Sequence, residues 1–235
     1  MSKVILIIGS SGGLGKHLTR WLSAKGHTIA GHYLNHKPAT DSGCSHTYKA
    51  NITKEDEVKT MVDQVIRDFG HIDAVINNAG ISKSGLSWKT PLETWEDTIA
   101  VNLTGSFLVA KHVIPHMREQ NKGRIIFISS VVAQTGFAGT AAYAASKAGI
   151  IGLTKTLARE VAPKNITVNA IAPGYFSAGM IQDVSPEIQE QLRQQIPNGN
   201  LGNPDEIAQL ADYIISDQSS YLNGQVINLN GGLYM

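Results

Sequence analysis

Tyr143 and Lys147 are the two residues whose types and spacing most directly suggest chemistry. They stand four residues apart in Tyr143-Ala-Ala-Ser-Lys147, within a helical pattern, so both side chains project from one face of a helix. A free tyrosine has a pKa of about 10 and transfers protons poorly near neutral pH. Because a nearby ammonium stabilises the phenolate, we expect Lys147 to lower the pKa of Tyr143 and make it a general acid or base.

Two further polar residues could complete such a site. Ser130 ends an apolar run thirteen residues before Tyr143, and its hydroxyl could hydrogen-bond a substrate carbonyl. Asn102 lies inside a long helical pattern, where a helix kink or a satisfied buried amide would explain it as well. Since a Tyr–Lys pair also occurs by chance on exposed helices, the catalytic site is predicted from the set as a whole: Asn102, Ser130, Tyr143 and Lys147.

A glycine-rich loop follows the first apolar run directly and opens a helix, in the sequence Gly9-Ser10-Ser11-Gly12-Gly13-Leu14-Gly15. Glycine lets the backbone turn sharply and lets a pyrophosphate approach the amides at the helix start. A nucleoside-triphosphate loop is excluded, because the spacing from Gly9 to Lys16 is one residue too long and His17 cannot replace the Ser/Thr magnesium ligand. The loop therefore predicts a dinucleotide site.

Short β-branched runs alternate with helical patterns along the whole chain, which predicts an α/β fold with a doubly wound parallel sheet of seven strands. No linker divides the chain, so residues 1–235 are predicted to form a single domain. The predicted strands are Val4–Ile8, Thr28–Gly31, Ser45–Lys49, Asp73–Asn77, Arg124–Ile128, Thr167–Ile171 and Val226–Leu229. The predicted helices are Leu14–Lys25, Lys54–Phe69, Leu92–Glu119, Ala142–Glu160 and Asp205–Ser216.

An insertion near residues 175–203 has no strand pattern. Ser185-Pro186 is typical of a helix start, and apolar residues recur after it at helical spacing. The segment is either a surface helix lying on the core or a substrate-covering lid, because it leaves the carboxyl end of a strand, where such sheets bind ligands.

Composition excludes several classes of function. Twenty basic and nineteen acidic residues give a formal net charge of +1, which argues against nucleic-acid binding. No apolar segment reaches a membrane-spanning length, and the single cysteine, Cys44, cannot form an internal disulfide. We expect a cytoplasmic protein with no membrane partner. The histidine pairs His32/His36 and His112/His116 lack a third ligand close by, so no metal site is expected.

The motifs together resemble the short-chain dehydrogenase/reductase family over essentially the whole chain. The resemblance rests on six features in the family's order and spacing, which are the glycine loop at 9–15, Asn-Asn-Ala-Gly at 77–80, Asn102, Ser130, Tyr143-x-x-x-Lys147 and Pro173-Gly174. It implies a seven-stranded Rossmann sheet, in agreement with the strand count, and a homotetramer.

The resemblance also implies roles for the matching residues. Tyr143 would exchange a proton with the substrate oxygen, and Lys147 would lower its pKa and hold the nicotinamide ribose. Ser130 would bind and polarise the carbonyl, while Asn102 would support a water linked to Lys147. Cofactor contacts are implied for the glycine loop (Gly9, Ser11, Gly12, Gly13, Leu14, Gly15), the adenine pair (Asn51, Ile52), the adenine-ribose side (Asn78, Ala79, Gly80), the nicotinamide side (Pro173, Gly174, Phe176), Tyr143 and Lys147.

The choice of cofactor depends on the end of the second strand. NAD-selective sites carry an acid there for the ribose 2′-hydroxyl, whereas this chain has no acid before Asp41. Asn35 or Lys37 could contact a 2′-phosphate instead, although the loop could simply be exposed and polar. Many NADP-using relatives carry Arg or Lys at the position of Gly12. We expect NADP(H) to be favoured over NAD(H).

Within the family, the chain is most similar to bacterial 3-oxoacyl-[acyl-carrier-protein] reductases and acetoacetyl-CoA reductases. This similarity rests on residues 128–132, residues 160–169 and the ending Asn230-Gly-Gly-Leu-Tyr-Met235. It implies NADPH-dependent reduction of a 3-oxoacyl thioester to the 3-hydroxyacyl thioester, with acyl carrier protein as a partner. Lys122, Arg124 and Lys164 could meet an acidic carrier or be solvated charges.

Two other functions remain open from the sequence. One is an NAD-linked dehydrogenase of another secondary alcohol or ketone, which cofactor preference and direction would distinguish. The other is a dinucleotide-binding regulator without catalysis, against which the intact set of four catalytic residues argues.

Overall fold

Seven parallel strands form one sheet in the order β3-β2-β1-β4-β5-β6-β7. The computed structural model of the chain describes residues 2–235, except the side chain of Asp183. The strands are β1 (Val4–Ile8), β2 (Thr28–Tyr33), β3 (His46–Lys49), β4 (Ala74–Asn77), β5 (Gly123–Ile128), β6 (Ile166–Pro173) and β7 (Val226–Leu229). The predicted fold class is confirmed, and every predicted strand is found to within two residues at each end.

Helices cover both faces of the sheet. They are α1 (Gly13–Ala24), α2 (Glu55–Phe69), α3 (Leu92–Ile99), α4 (Gly105–Gln120), α5 (Val132–Thr135), α6 (Ala141–Val161), α7 (Pro186–Gln195) and α8 (Pro204–Ile215). One core cluster joins the sheet to α2, α4 and α6, and the other joins it to α1 and α8. Among the described residues, no helix is long and apolar enough to cross a membrane.

The central strand β1 shows why the sequence forms a two-layered core. Successive side chains of a strand point to opposite faces. Leu6 and Ile8 accordingly belong to one cluster, and Ile5 and Ile7 to the other. All four are buried, and each contributes roughly 1.5–3 kcal/mol of transfer free energy. A run of apolar residues without alternation is therefore what a strand buried on both sides requires.

The predicted helix Leu92–Glu119 is interrupted. A π-helical turn, Ala100–Thr104, separates α3 from α4. Such a turn adds one residue to the helical repeat and is often found at functional sites. It contains Asn102, whose buried amide is fully hydrogen-bonded, which is one of the two explanations that the sequence left open for this residue.

The two ends of the predicted insertion are held together by backbone contacts. Ser177 N donates to Gly202 O at 3.0 Å, Gly202 N donates to Tyr175 O at 2.9 Å, and Phe176 and Gly202 form a short parallel bridge that the sequence did not predict. The segment between these two ends contains α7, whose start at Pro186 agrees with the predicted helix start. It returns to the sheet immediately before α8.

Candidate active site

The predicted site residues converge on the carboxyl edge of the sheet, around the topological switch point. From β1 the chain moves outward through β2 to β3, and it then crosses back to β4 on the other side of β1. Ligands bind in the crevice at such a point in an open α/β sheet. The glycine loop follows β1, Asn78 follows β4, Ser130 follows β5 and Gly174 follows β6.

The phosphate loop, residues 9–15, has a backbone that requires glycine. Gly9 has a φ of +78°, and a Cβ there would lie 2.9 Å from Ala79 Cα. Its carbonyl accepts hydrogen bonds from Gly12 N at 3.3 Å and from Asn78 Nδ2 at 3.1 Å. Asn78 therefore braces the loop.

The start of α1 fits an anionic group. Lys16 N donates to Gly12 O at 2.9 Å, so the amides of Gly13, Leu14 and Gly15 precede the first bond of the helical ladder. No side chain caps this end, and its first turn carries no acid. A Cβ on Gly12 would meet only Gly9 O, at 3.8 Å, which leaves room beside the amides. These features suit a pyrophosphate.

The adenine side begins where β3 ends. Asn51 Oδ1 accepts from Thr53 N at 3.0 Å and from Thr53 Oγ1 at 2.8 Å, which fixes the turn before α2. Ile52 is buried, and a Cβ on Gly105 would lie 2.9 Å from its Cδ1. Asn35 and Lys37, beyond the end of β2, are exposed.

Tyr143 and Ser130 meet beside Lys147, as the sequence predicts. The pKa of Tyr143 is raised, mainly because burial disfavours the phenolate; the charge of Tyr175 acts in the same direction, and a hydrogen bond from Ser130 opposes it. The net direction follows burial, and the lowering by Lys147 that the sequence predicts is not among the causes of this shift. Tyr143 is a protonated phenol at neutral pH.

Lys147 is buried, with 3% of its surface exposed. Its Nζ donates to Ile128 O at 2.7 Å and lies 5.7 Å from the centroid of the Tyr143 ring. Burial lowers the pKa of Lys147 to about 8, so the side chain is mostly charged at neutral pH. Ser129, which sequence reasoning missed, donates from its Oγ to Lys147 O at 2.9 Å and anchors this turn of α6 to the end of β5.

Asn102 is fully buried and holds the loop after β4. Its Oδ1 accepts from Ile81 N at 2.8 Å, and its Nδ2 donates to Ile81 O at 2.9 Å and to Ser146 Oγ at 3.0 Å. Both Nδ2 hydrogens are thus used within the protein. A Cβ on Gly80 would lie 3.3 Å from both Asn102 Oδ1 and Lys147 Nζ, so glycine lets the backbone after β4 approach these two side chains closely.

Ser146 and Tyr175 are further residues that the sequence analysis missed. Ser146 Oγ donates to Tyr143 O at 2.7 Å while accepting from Asn102, so it joins the π-helical turn to the catalytic turn of α6. Ser146 directly precedes Lys147 in the Tyr143–Lys147 motif, and this position is the sequence signal that could have identified it. Tyr175 follows Gly174, and its charge acts to raise the pKa of Tyr143.

The segment after β6 covers the phosphate loop. A Cβ on Gly13 would collide with the backbone of Gly179, in the short helical turn Gly179–Asp183. The ring of Phe176 is buried in the core against Gly202, so only its backbone remains for a cofactor contact. Pro173 is the last residue of β6, and Gly174 N donates to Leu229 O at 2.9 Å.

Two of the four histidines considered as metal ligands, His32 and His112, have other partners. Both ring nitrogens of His32 are hydrogen-bonded to backbone groups, and His112 Nε2 lies 3.1 Å from Glu55 Oε1. Within residues 2–235, no cluster of three or more His, Cys, Asp or Glu side chains could hold a metal ion.

The comparisons with known proteins agree with this geometry. A family model described as enoyl-(acyl carrier protein) reductase matches residues 8–234. The chain belongs to the short-chain dehydrogenase/reductase family. Relatives named 3-oxoacyl-[acyl-carrier-protein] reductase include those of Staphylococcus epidermidis, 38% identical over 100% of both chains, and Thermotoga maritima, 40% identical over 98% of this chain and 97% of the relative. A third, from Aquifex aeolicus, is 36% identical over 99% and 97%.

As a short-chain dehydrogenase/reductase, the protein is an NAD(P)-dependent oxidoreductase. Its cofactor is a nicotinamide dinucleotide. The uncapped amides of the phosphate loop fit the pyrophosphate of such a cofactor.

Proposed function

We propose that this enzyme reduces a 3-oxoacyl thioester to the 3-hydroxyacyl thioester with NADPH, and that Tyr143 donates the proton. The observation that carries the proposal is the position of the buried Lys147 ammonium, which lies 5.7 Å from the centre of the Tyr143 ring. A phenol held in the neutral form by burial suits reduction, in which the substrate oxygen must gain a proton.

Each residue of the site has its own role in the proposed reduction. The bound nicotinamide supplies a hydride to the carbonyl carbon. Ser130 hydrogen-bonds the carbonyl oxygen and polarises it, and Tyr143 transfers its proton to that oxygen as negative charge develops there. The ammonium of Lys147 stabilises the resulting phenolate until it is reprotonated from solvent. Asn102 keeps the crevice in shape through Ile81 and Ser146.

The preference for NADPH is supported by the residues after β2. Tyr33 ends this strand, and residues 34–37 are exposed and contain no acid. Nothing there would repel a 2′-phosphate, and Asn35 and Lys37 can contact one. An NAD-selective site would place a carboxylate at this end of the strand.

The 3-oxoacyl substrate is supported by the names of the full-length relatives, which also make acyl carrier protein the proposed carrier of the acyl group. Arg124, considered above as a carrier contact, is buried at the amino end of β5, where its Nη1 donates to Gly123 O and Asn165 O. Within one chain it lies at the sheet edge opposite Ser130, so it cannot line this chain's own active-site entrance.

The remaining parts of the proposal are a homotetramer in the cytoplasm and a covering role for the insertion near 175–203. The contact between Gly13 and Gly179 supports the covering role.

The proposed activity is tested by initial rates of NADPH and NADH oxidation with acetoacetyl-CoA, for the wild type and Tyr143→Phe. We expect turnover that is faster with NADPH and that falls at least about 10²-fold in the variant, because a positioned proton donor contributes 10²–10⁴-fold. NADPH binding, followed by its fluorescence, should be retained.

Crotonyl-CoA serves as the competing substrate, since the family description names an enoyl reductase. Faster turnover of crotonyl-CoA than of acetoacetyl-CoA would contradict the 3-oxoacyl assignment. Cofactor binding without turnover of either thioester would redirect the search to other carbonyls and alcohols.

A further inference from the structure

His32 is a buried histidine that the proposed chemistry does not use. It lies in β2, one residue before the strand ends, and is 3% exposed. Its Nδ1 accepts a hydrogen bond from Gly9 N at 3.1 Å, and its Nε2 lies 2.8 Å from Ala50 O. An amide N–H can only donate and a carbonyl can only accept, so the imidazole is neutral with its hydrogen on Nε2.

The partners of His32 belong to the two neighbouring strands. The β1–β2 ladder ends at Ile7↔Gly31, and Gly9 lies beyond it as the first residue of the phosphate loop. On the other side, Ala50 follows β3 and directly precedes Asn51 and Ile52. The ring therefore links the residue that follows β1 to the residue that follows β3, across the end of β2.

The peptide groups at Gly9 are held on both sides. Gly9 N is fixed by His32 and Gly9 O by Asn78 Nδ2, while the carbonyl of His32 accepts from both Ser10 N and Ser10 Oγ at 2.9 Å. Side-chain and backbone groups of a single residue thus set the first turn of the phosphate loop. Burial lowers the pKa of His32, which keeps the ring in the neutral form that both bonds require.

We propose that His32 is a positioning residue of the dinucleotide site, a neutral brace that holds the phosphate loop and the Asn51–Ile52 turn in register. The inference rests on the proposed cofactor role of these two segments. His32 touches neither reacting group, so it acts on cofactor affinity through Gly9 and Ala50. Loss of the brace leaves a buried N–H and a buried C=O without their partner and frees both segments to move.

His27 offers a matched control in the same part of the sheet. It directly precedes β2 at the opposite edge, its Nδ1 accepts from Lys3 N at 3.2 Å, and its Nε2 lies 3.1 Å from Asp212 Oδ1. Like His32 it accepts from a backbone amide through Nδ1, whereas its Nε2 pairs with a carboxylate, and neither partner belongs to a cofactor segment. Replacing it tests what the loss of a partly buried histidine does to the fold alone.

The experiment measures the dissociation constant of NADPH by fluorescence for wild type, His32→Leu and His27→Leu, together with the melting temperature of each. We expect His32→Leu to weaken NADPH binding about tenfold, since each lost hydrogen bond is worth roughly a two- to tenfold change. The KM for NADPH should rise by the same factor, with kcat at saturating NADPH within twofold of wild type. His27→Leu should lower the melting temperature and leave the dissociation constant within twofold.

Two conservative variants separate the two bonds. The Oδ1 of an asparagine lies as many bonds from Cα as Nδ1 of histidine, so His32→Asn can keep the bond to Gly9 and lose that to Ala50. His32→Gln can reach Ala50 O with its amide group and lose the bond to Gly9. We expect each to bind NADPH more tightly than His32→Leu and more weakly than wild type.

Equal dissociation constants in wild type and His32→Leu, or equal losses in His32→Leu and His27→Leu, would overturn the positioning role. If His32→Leu does not fold, His32→Asn and His32→Gln decide, and wild-type affinity in both would overturn it too. A wild-type protein that binds neither NADPH nor NADH contradicts the proposed function itself, whereas unaffected variants of a protein that binds NADPH contradict only this inference.

Discussion

The ammonium of Lys147 lies 5.7 Å from the centre of the Tyr143 ring while its hydrogen bond is made to the carbonyl of Ile128. The end of β5 thus holds the lysine close to the phenol without a direct ion–dipole bond between them. An ammonium in this position can stabilise the phenolate that forms when Tyr143 loses its proton. This position costs free energy, because the charged ammonium of Lys147 is removed from water.

We predict that Lys147→Met changes the pH dependence of stability. The pKa of Lys147 is about 8 in the folded protein and about 10.4 in the unfolded chain, so between these values the unfolded state binds more protons. This group therefore destabilises the wild type fully below pH 8, and the penalty fades as the pH rises towards 10. Raising the pH from 7 to 9.5 therefore increases the free energy of unfolding of the wild type by on the order of 2 kcal/mol. Lys147→Met lacks this increase.

Urea unfolding at pH 7 and 9.5 measures this difference. Lys155→Met is the control, because Lys155 lies two turns further along α6 and is exposed. The wild type and Lys155→Met should gain stability relative to Lys147→Met as the pH is raised. Parallel pH profiles for all three proteins would show that Lys147 carries no burial penalty.

Ser130 and Ser129 are neighbours with different expected roles. Ser130 hydrogen-bonds Tyr143 and accepts from Val132 N at 3.2 Å, whereas Ser129 Oγ donates to the backbone of Lys147. We predict that Ser130→Ala lowers kcat/KM for acetoacetyl-CoA about 10²-fold with unchanged NADPH affinity, as loss of one donor to a developing oxyanion does. Because its hydrogen bond lowers the pKa of Tyr143, the variant should also raise the apparent pKa on the alkaline side of the rate profile.

Assays from pH 6 to above pH 11 would show both effects of Ser130→Ala, because the pKa of Tyr143 is raised above its ordinary value of about 10, and Ser129→Ala provides the comparison. The latter should cost about 1 kcal/mol of stability, the typical net value of a hydrogen bond, with a smaller loss of rate. An alkaline limb that stays in place in Ser130→Ala would argue against a hydrogen bond to the reacting phenol.

The sheet and the main site residues could be predicted because they depend on local patterns. A strand buried on both faces needs an unbroken apolar run, as in Val4–Ile8, and the glycine loop follows it in sequence as it does in space. Tyr143 and Lys147 share a helix face by spacing alone. The position of Ser130 follows from the predicted end of β5, which lies two residues before it.

The parts that could not be predicted depend on register between distant segments. The π-helical turn around Asn102 leaves the apolar pattern of α3 and α4 largely intact, so periodicity shows one helix. The brace at His32 exists only because the ends of β1 and β3 flank it. The pKa of Tyr143 depends on its burial, which spacing on a helix does not reveal.

Ser146 should connect stability to catalysis. Its hydroxyl lies between Asn102 Nδ2 and the carbonyl of Tyr143, and it is fully buried. We predict that Ser146→Ala destabilises the fold by about 1–3 kcal/mol, because Asn102 is left with an unpaired buried N–H. We also expect kcat to fall several-fold, since the catalytic turn of α6 loses its tie to the π-helical turn.

Thr154→Val is the control for Ser146→Ala. Thr154 is buried in the same helix, and its Oγ1 donates to Ile150 O at 2.7 Å, away from the site. Thermal melts and kcat for both variants separate the two effects. A loss of kcat in Thr154→Val that equals the loss in Ser146→Ala would mean that rate follows stability alone.

The packing of Gly179 on Gly13 leads to a final prediction, about two adjacent glycines. A Cβ on Gly13 would collide with the backbone of Gly179, which cannot give way as a flexible side chain could, whereas a Cβ on Gly12 would meet only Gly9 O at 3.8 Å. Gly12 has a φ of −85°, which alanine adopts without strain. We therefore expect Gly13→Ala to displace the turn Gly179–Asp183 and Gly12→Ala to leave it in place.

Hydrogen–deuterium exchange over residues 177–195 measures the displacement directly. Exchange in this segment should speed up at least about tenfold in Gly13→Ala, with the rest of the sheet unchanged, and stay at the wild-type rate in Gly12→Ala. If the segment covers the substrate, the KM for acetoacetyl-CoA should rise in Gly13→Ala in parallel. Faster exchange with an unchanged KM would show that the segment does not take part in substrate binding. Equal exchange in the two variants would show that the segment does not pack on the phosphate loop.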